Sequence, residues 1–326
     1  MASRIVTVFG ASGFLGRHVV QELAREGWRI RAAVRRPNLA HFLRPLGASG
    51  QIHPIQANVR DEISVRKAIA GSDAVINLVG LLNEKGKQNF TAIHENGAAN
   101  IAKAAADAGV MRLVHVSALG ADEKSSSRYA LSKARAESTV RQEFPSAVIL
   151  RPSVVFGAED RFFNLFASLA RLAPVLPLIG GGKTCLQPVY VGDVAQAVAR
   201  AVSDAACGAK TYELGGPQVM SLREVWELVL HVTERKRLLV HIPFMVAQIM
   251  GLMLGLLPKP LLTRDQVRLL KADNVVSAQA IAEQRTLEGL GINPNAPQAI
   301  LPTYLVRFRR TGEFETKPLS VSGMDA

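Results

Sequence analysis

A chain of 326 residues is long enough for one large domain with a satellite lobe, and 48% apolar with 20% charged residues excludes a disordered protein. Basic residues outnumber acidic ones by 39 to 27, and the net charge of +12 indicates an anionic neighbour such as lipid or an acidic protein surface. Aromatic residues make up only 6% and no arginine-rich block is present, so nucleic acid is not expected as a partner.

Strand-like and helix-like runs alternate over the first 150 residues. Strands are predicted at 5–9, 29–34, 52–57, 73–79, 112–117 and 147–152, and helices at 14–26, about 38–46, 62–70, 88–108 and 127–143. Because parallel strands need crossover connections, this alternation predicts an α/β fold with a doubly wound parallel Rossmann sheet.

The alternation weakens after Pro152. A helix is predicted at 161–172, a Gly/Pro-rich loop at 174–188, a helix within 188–202 and one more strand at 210–216. We therefore predict a dinucleotide-binding domain over 1–157, completed by about 188–216. A smaller, mainly helical C-terminal lobe is predicted from 158–187 and 217–326.

The first strand leads into VFGASGFLGRHVV at 8–20, where every third residue from Gly10 to Gly16 is glycine. Between a strand and a helix, this spacing is typical of a turn that binds a dinucleotide pyrophosphate. The first glycine permits the tight turn, the second admits the phosphates, and the third lets the helix lie close to the strand. The alternative is a glycine-rich turn without a ligand. The residues predicted to bind the cofactor here are Gly10, Ser12, Gly13, Phe14, Leu15 and Gly16.

The second strand ends in two arginines, Arg35 and Arg36. An acidic residue at this place would bind the ribose 2′-hydroxyl of NAD(H), whereas cations suit the 2′-phosphate of NADP(H). The pair therefore favours NADPH as the cofactor. The alternative is an exposed basic turn on a basic protein.

The helix predicted at 127–143 carries Tyr129 and Lys133 four residues apart on one face, and the strand before it ends at Ser117. A lysine cation close to a phenol is expected to lower its pKa, which would make Tyr129 a general acid or base. Ser117 would hydrogen-bond a substrate oxygen, and Lys133 would bind the nicotinamide ribose. A chance Tyr-x-x-x-Lys is the alternative.

Together with RPSVVFG at 151–157, these features resemble the extended or atypical short-chain dehydrogenase/reductase superfamily over about residues 4–216. The resemblance implies that Pro152 lines the nicotinamide. It also places Asn58 and Val59 at the adenine, and sets Leu78, Val79 and Gly80 beside the cofactor.

A narrower resemblance rests on three stretches, SSSRYALSKARAE, FGAEDRFFN (156–164) and QPVYVGDVA (187–195), and on the apolar, proline-studded C-terminal lobe. These are similar to the NADPH-binding accessory subunits of respiratory complex I, a family that holds NADPH tightly without established turnover. The resemblance implies neighbouring complex I subunits, near the quinone-binding and membrane junction, as partners.

Residues 243–258 read PFMVAQIMGLMLGLLP, and basic residues flank this apolar segment on both sides. A helix of this length would span roughly 24 Å, short of a ~30 Å hydrocarbon core, so no transmembrane helix is predicted. The segment is either a core helix of the lobe or a surface that docks on a partner or a membrane, with anionic lipid contact through 235–271. The polar tail from about 311 is expected to be mobile unless a partner orders it.

The first predicted strand begins close to Met1, so neither a signal peptide nor a presequence is expected. We expect the cytoplasmic side of a bacterial inner membrane, or the matrix side if the protein is mitochondrial. Cys185 and Cys207 cannot build a disulfide framework, and neither they nor the histidines have metal-ligand spacing, so no metal site is predicted.

Three functions fit these patterns. The first is a non-catalytic, NADPH-bearing accessory subunit of complex I that docks near the membrane. The second is a free-standing NADPH-dependent reductase or epimerase in which Ser117, Tyr129 and Lys133 are catalytic. The third is a sensor that reports the NADP(H) ratio to a partner.

Overall fold

The computed structural model describes residues 4–255, 257, 260–310 and 312. Its centre is a parallel sheet of seven strands in the order β11-β6-β5-β4-β1-β2-β3. These strands are β1 (Ile5–Phe9), β2 (Arg29–Val34), β3 (Ile52–Gln56), β4 (Ala74–Asn77), β5 (Arg112–Val116), β6 (Val148–Pro152) and β11 (Thr211–Leu214). The predicted doubly wound Rossmann sheet is confirmed, and each strand lies within a few residues of its predicted bounds.

Helices cover both faces of the sheet, which is why its central strands are apolar on both sides. One core cluster joins the sheet to α1 and α6, and the other joins it to α2, α3 and α4. These helices are α1 (Phe14–Arg25), α2 (Glu62–Ile69), α3 (Asn96–Asp107), α4 (Arg128–Glu143) and α6 (Val191–Ser203). The strand order reverses at β1, so a crevice opens beyond the carboxyl ends of β1 and β4, where open α/β sheets bind ligands.

Two predicted helices are wrong in part. The run at 38–46 forms two short 3-10 turns, Pro37–Leu39 and His41–Leu46, because Pro45 cannot donate the hydrogen bond that an α-helix needs there. The run at 88–108 is helical from Phe90 to Asp107, but it opens with a π-type turn at Thr91–Glu95, which winds more widely than the α-helix that follows.

Beyond β6, small elements pack around a third core that includes Phe163 and Trp226, whose ring stacks on Phe166 at 4.1 Å. The strands are β7 (Val155–Phe156), β8 (Val175–Ile179), β9 (Cys185–Leu186), β10 (Val189–Tyr190), β12 (Met220–Ser221) and β13 (Leu238–Ile242). The helices are α5 (Phe162–Leu172), α7 (Leu222–Val232), α8 (Phe244–Leu254), α9 (Arg264–Leu269), α10 (Ala278–Ala282), α11 (Pro297–Ile300) and α12 (Pro302–Leu305). The loop predicted at 174–188 is wrong at its start, where β8 pairs in parallel with β13.

Helix α8 occupies most of the apolar segment 243–258, of which residues 256 and 258 lie outside the described residues. Only Ala247 and Gly251 of this helix are buried, whereas Met245, Ile249 and Met253 are 81%, 61% and 67% exposed. The core-helix alternative is therefore wrong. No helix in the described part of the chain combines the length and apolarity needed to cross a membrane. The polar tail from 311, apart from Gly312, lies outside the described residues.

Candidate functional site

The glycine turn has the geometry that its three glycines predict. Gly10 adopts φ +84°, and a Cβ there would lie 3.1 Å from the carbonyl carbon of Leu78. A Cβ on Gly16 would overlap the carbonyl oxygen of Gly10 and lie 2.6 Å from that of Ala11. Gly13 caps α1 without a side-chain hydrogen bond to the first turn, so backbone N–H groups there stay free for an anion.

A crevice of about 220 Å³ lies beyond the carboxyl ends of β1 to β4. Its lining contains many of the residues predicted to bind the cofactor: Gly10, Ser12, Gly13, Arg35, Asn58, Val59, Leu78, Val79 and Gly80. Phe14, Leu15 and Gly16 lie outside this lining, in the first turn of α1. The structure therefore brings together residues from four successive strand ends, as a dinucleotide site requires.

The crevice also contains residues that the sequence patterns did not reveal. Arg60 and Gln88 line it, and the Arg60 guanidinium donates to the carbonyl of Lys87 at 3.2 Å. Arg36 is exposed and does not line the crevice. Among the described residues, the arginines that line the crevice are therefore Arg35 and Arg60, a pair separated in sequence that only the fold brings together.

The predicted nicotinamide end continues from Gly80 towards α4. The Lys133 ammonium lies 3.5 Å from the position that a Cβ on Gly80 would occupy, and it donates to the carbonyl of Val116 at 3.2 Å. Ser117 follows β5, and its buried hydroxyl has no hydrogen-bond partner in the described part of the chain. Pro152 ends β6, and its carbonyl accepts from Leu119 at 2.9 Å. Because a buried hydroxyl is costly to leave unpaired, Ser117 fits a site that offers it a ligand partner.

The pKa of Tyr129 shifts in the direction opposite to the one predicted. Burial raises the pKa of Tyr129 to about 12. Burial also lowers the pKa of Lys133 to about 8, against an opposing effect of Glu137. The expected lowering of the Tyr129 pKa by the lysine is wrong, because the loss of water around the phenol raises this pKa. At neutral pH Tyr129 is a hydrogen-bond donor and not a base.

Two buried histidines support this end of the crevice. His94 accepts from the backbone N–H of Leu81 at 2.8 Å, so its other nitrogen donates to the Ser132 hydroxyl, which in turn donates to the carbonyl of Tyr129. His115 lies 3.1 Å from the Asn77 amide. Burial, followed by the repulsion of Lys133, lowers the pKa of both histidines to about 3, so both stay neutral. Among the described residues, no cluster of His, Cys, Asp or Glu side chains could hold a metal ion.

One aspartate in each of two stretches that resemble the complex I subunits bonds to the C-terminal part of the chain and does not line the crevice. In FGAEDRFFN, Asp160 accepts from the Tyr304 hydroxyl at 2.6 Å. In QPVYVGDVA, the fully buried Asp193 accepts from the backbone and side chain of Asn295 at 2.7 and 2.6 Å. Burial raises the pKa of both carboxyl groups. These stretches tie the C-terminal part of the chain to the sheet.

Comparison with known proteins identifies relatives along nearly the whole chain. A profile of the NAD dependent epimerase/dehydratase family matches residues 6–215. NADH dehydrogenase (ubiquinone) 1 alpha subcomplex subunit 9 from Arabidopsis thaliana is 36% identical over 94% of this chain and 79% of its own length. The NADH-ubiquinone oxidoreductase 40 kDa subunit from Neurospora crassa is 31% identical over 98% of this chain and 83% of its own length.

A solved structure shares the fold. The NADPH-dependent quinone oxidoreductase of Escherichia coli, in complex with NADPH, is 21% identical with a TM-score of 0.72. The alignment covers 90% of this chain and 97% of that one.

Proposed function

This chain belongs to the NAD dependent epimerase/dehydratase family, and from that premise we propose that it is an accessory subunit of respiratory complex I that binds NADP(H) without turning it over. The observation that carries the proposal is the similarity to the Arabidopsis and Neurospora subunits, which covers 94% and 98% of this chain. That span includes the lobe with helix α8. A free-standing reductase would not need the exposed apolar surface of this helix.

The preference for NADPH rests on charge beyond the ends of β2 and β3. Arg35 and Arg60 line the same crevice, and neither forms an ion pair with an acidic side chain among the described residues. Two guanidinium groups at the predicted ribose suit a phosphate dianion better than a hydroxyl. A nucleotide that binds only the folded chain would stabilise it by roughly 4 kcal/mol at a thousandfold excess over Kd.

The state of Tyr129 fits an anchoring role for this side chain. With its pKa raised to about 12, the phenol is protonated at neutral pH and can donate to a ribose hydroxyl, and the same form would also serve a reductase as general acid. Together with Lys133, it anchors the nicotinamide ribose in our proposal. The reductase alternative is favoured by one observation, the nearness of Lys133 and the unpaired Ser117 to the same end of the crevice.

Docking at the junction with the membrane is the remaining part of the proposal. Helix α8 offers a methionine-rich apolar surface, and such surfaces adapt readily to partners. Basic residues that flank it in sequence would each contribute about 1 kcal/mol near anionic headgroups. These residues are Arg235, Lys236, Arg237, Arg264, Arg268 and Lys271. The side of the membrane would be cytoplasmic in a bacterium and the matrix side in a mitochondrion.

Native isolation of a tagged chain tests this function. We expect the chain to migrate with a large NADH:quinone oxidoreductase assembly, and Tyr129→Phe to leave both this migration and NADH-driven respiration unchanged. A soluble chain that reduces carbonyl compounds with NADPH, and loses that turnover in Tyr129→Phe, would instead support the reductase.

A further inference from the structure

Helix α4, which carries Tyr129 and Lys133, is held at its N-terminus by a side chain from the C-terminal lobe. The carboxylate of Asp265 accepts from the Ser127 hydroxyl at 2.7 Å and from the backbone N–H groups of Arg128 and Tyr129 at 2.8 and 3.1 Å. These N–H groups have no partner within a helix, and a carboxylate there also interacts favourably with the helix dipole. The position of α4 therefore depends on a residue 136 positions further along the chain than Tyr129.

Asp265 is itself fixed in the first turn of α9. Thr263 and Gln266 form a reciprocal capping box at the start of this helix. Arg268, one turn later, donates to the carbonyl of Ser126 at 3.2 Å, just before α4. Helix α9 thus contacts the beginning of α4 through two side chains.

Helix α9 also packs closely against the apolar helix α8. A Cβ on Gly251 of α8 would lie 2.9 Å from the backbone nitrogen of Arg264, so the two backbones are in direct contact. Val267 of α9 and Ala247 of α8 are fully buried in one small cluster. A shift of α9 would therefore move α8 and the surface that α8 exposes.

The segment after α9 contacts the other strand ends at the same end of the crevice. Asn274 donates to the carbonyl of Leu119, and the Ser153 hydroxyl donates to the Asn274 side chain at 2.6 Å. Leu119 lies two residues after Ser117, and Ser153 follows Pro152. The chain between 263 and 274 therefore joins all three elements that carry the predicted nicotinamide-end residues.

We propose that Asp265 is a positioning residue that couples nucleotide binding to the α8–α9 unit. Nucleotide contacts with Tyr129 and Lys133 favour one position of α4. The Asp265 carboxylate transmits that preference to α9, and close packing transmits it to α8. If the nucleotide strengthens the docking of a partner on α8 by some factor, linkage requires that this partner strengthens nucleotide binding by the same factor. This inference rests on the proposed binding of NADP(H).

The coupling is measured by hydrogen–deuterium exchange with and without NADPH, together with NADPH affinity and the NADPH-induced rise in Tm. In the wild-type chain we expect NADPH to slow exchange in the crevice, in α9 and in α8. Asp265→Asn keeps the size of the side chain but replaces an acceptor oxygen with a donor. It should bind NADPH about 5-fold more weakly, at the lower end of typical coupling factors, and lose the slowed exchange in α8 and α9.

Asp204→Asn is the control. Asp204 also accepts from a backbone N–H, that of Ala206 at 2.9 Å, but it caps the short turn after α6 and not α4. The control should keep the wild-type affinity and exchange pattern. A merely structural role for Asp265 would lower the Tm of free and NADPH-bound protein equally and leave the exchange response intact.

The outcomes separate this inference from the proposed function. If the wild-type chain binds NADPH but exchange slows only around the crevice, the coupling is refuted and the nucleotide function stands. If Asp265→Asn retains the full exchange response, the role of Asp265 is refuted. If NADPH does not bind the wild-type chain, both proposals fail. The wild-type experiment decides the matter even if the variant does not fold.

Discussion

In β1, Val6 and Val8 are fully buried against the helices on one face of the sheet, whereas in α8 Met245, Ile249 and Met253 are mostly exposed. Both runs are apolar in sequence, but the described fold buries only the first. Burying the exposed side chains of α8 requires a surface that the described residues do not supply. Val6 and Val8 therefore specify the fold, whereas the exposed side chains of α8 serve assembly in our proposal.

The largest expected effect concerns the glycine turn that follows the buried strand β1. Gly16→Ala should destabilise the fold by about 4 kcal/mol or more, because the new Cβ would overlap the Gly10 carbonyl and displace the phosphate-binding turn. Gly208→Ala is the control, since its φ of −58° suits alanine and its Cβ would meet nothing closer than 3.4 Å. In urea unfolding, the free energy of unfolding of this control should change by less than about 1 kcal/mol. Equal stability of the two variants would refute the close packing of the turn.

The second prediction concerns the exposed side chains of α8. Replacing Met245, Ile249 and Met253 together by glutamine should change the free energy of unfolding by no more than about 0.5 kcal/mol, yet remove the chain from the respiratory assembly. Ala247→Gln, on the buried face of the same helix, should cost about 3 kcal/mol because it forces a polar side chain into a packed site. Unfolding curves and native gels measure the two effects. A triple variant that still assembles would show that α8 is not the docking surface.

The third prediction concerns His94 and His115, the two buried histidines beside the predicted nicotinamide end of the crevice. Because folding lowers the pKa of His94 and His115 from 6.5 to about 3, the unfolded chain binds their protons first as the pH falls. Stability that is present above pH 6.5 is therefore lost towards pH 3, by about 2 kcal/mol per histidine at pH 5. Replacing both by glutamine should make unfolding between pH 7 and 5 much less pH-dependent. An unchanged pH dependence would contradict their neutral, buried state.

The smallest expected effect lies at the exposed edge of the crevice. Arg35→Gln should weaken NADPH binding about tenfold, or about 1.4 kcal/mol, and leave NADH binding unchanged, because only NADPH carries the 2′-phosphate. Arg36→Gln is the matched control and should have a smaller effect, since Arg36 does not line the crevice. Fluorescence titration measures the Kd of each variant for NADPH and for NADH. Equal losses for NADPH and NADH would contradict a phosphate contact.

The central sheet could be predicted from the sequence because its signals are local. Each strand is a short apolar run, and the glycine turn directly follows β1. The β8–β13 pair was missed because its strands are parallel and lie about 60 residues apart, so a long crossover joins them and no local turn signal marks the pair. The run at 38–46 misled because its apolar residues suggested a helix, while Pro45 prevents one.

The site could be predicted only where its residues belong to a motif. The glycines and Arg35 follow strands at characteristic spacing, but Arg60 and Gln88 join the crevice through loops whose path no motif encodes. The sign of the Tyr129 shift was wrong because the spacing to Lys133 is visible in the sequence and the extent of burial is not. Asp265 could not be found either, since its contact with α4 joins distant parts of the chain.

We infer that this chain holds an NADP(H) molecule in the crevice between the glycine turn and Arg35. To test this directly, the chain is purified from its native membrane and denatured, and the released nucleotide is identified by chromatography and mass spectrometry. We expect about one NADP(H) per chain, and none from Gly16→Ala. Release of no nucleotide, or of NAD(H) alone, would show that the crevice does not hold NADP(H).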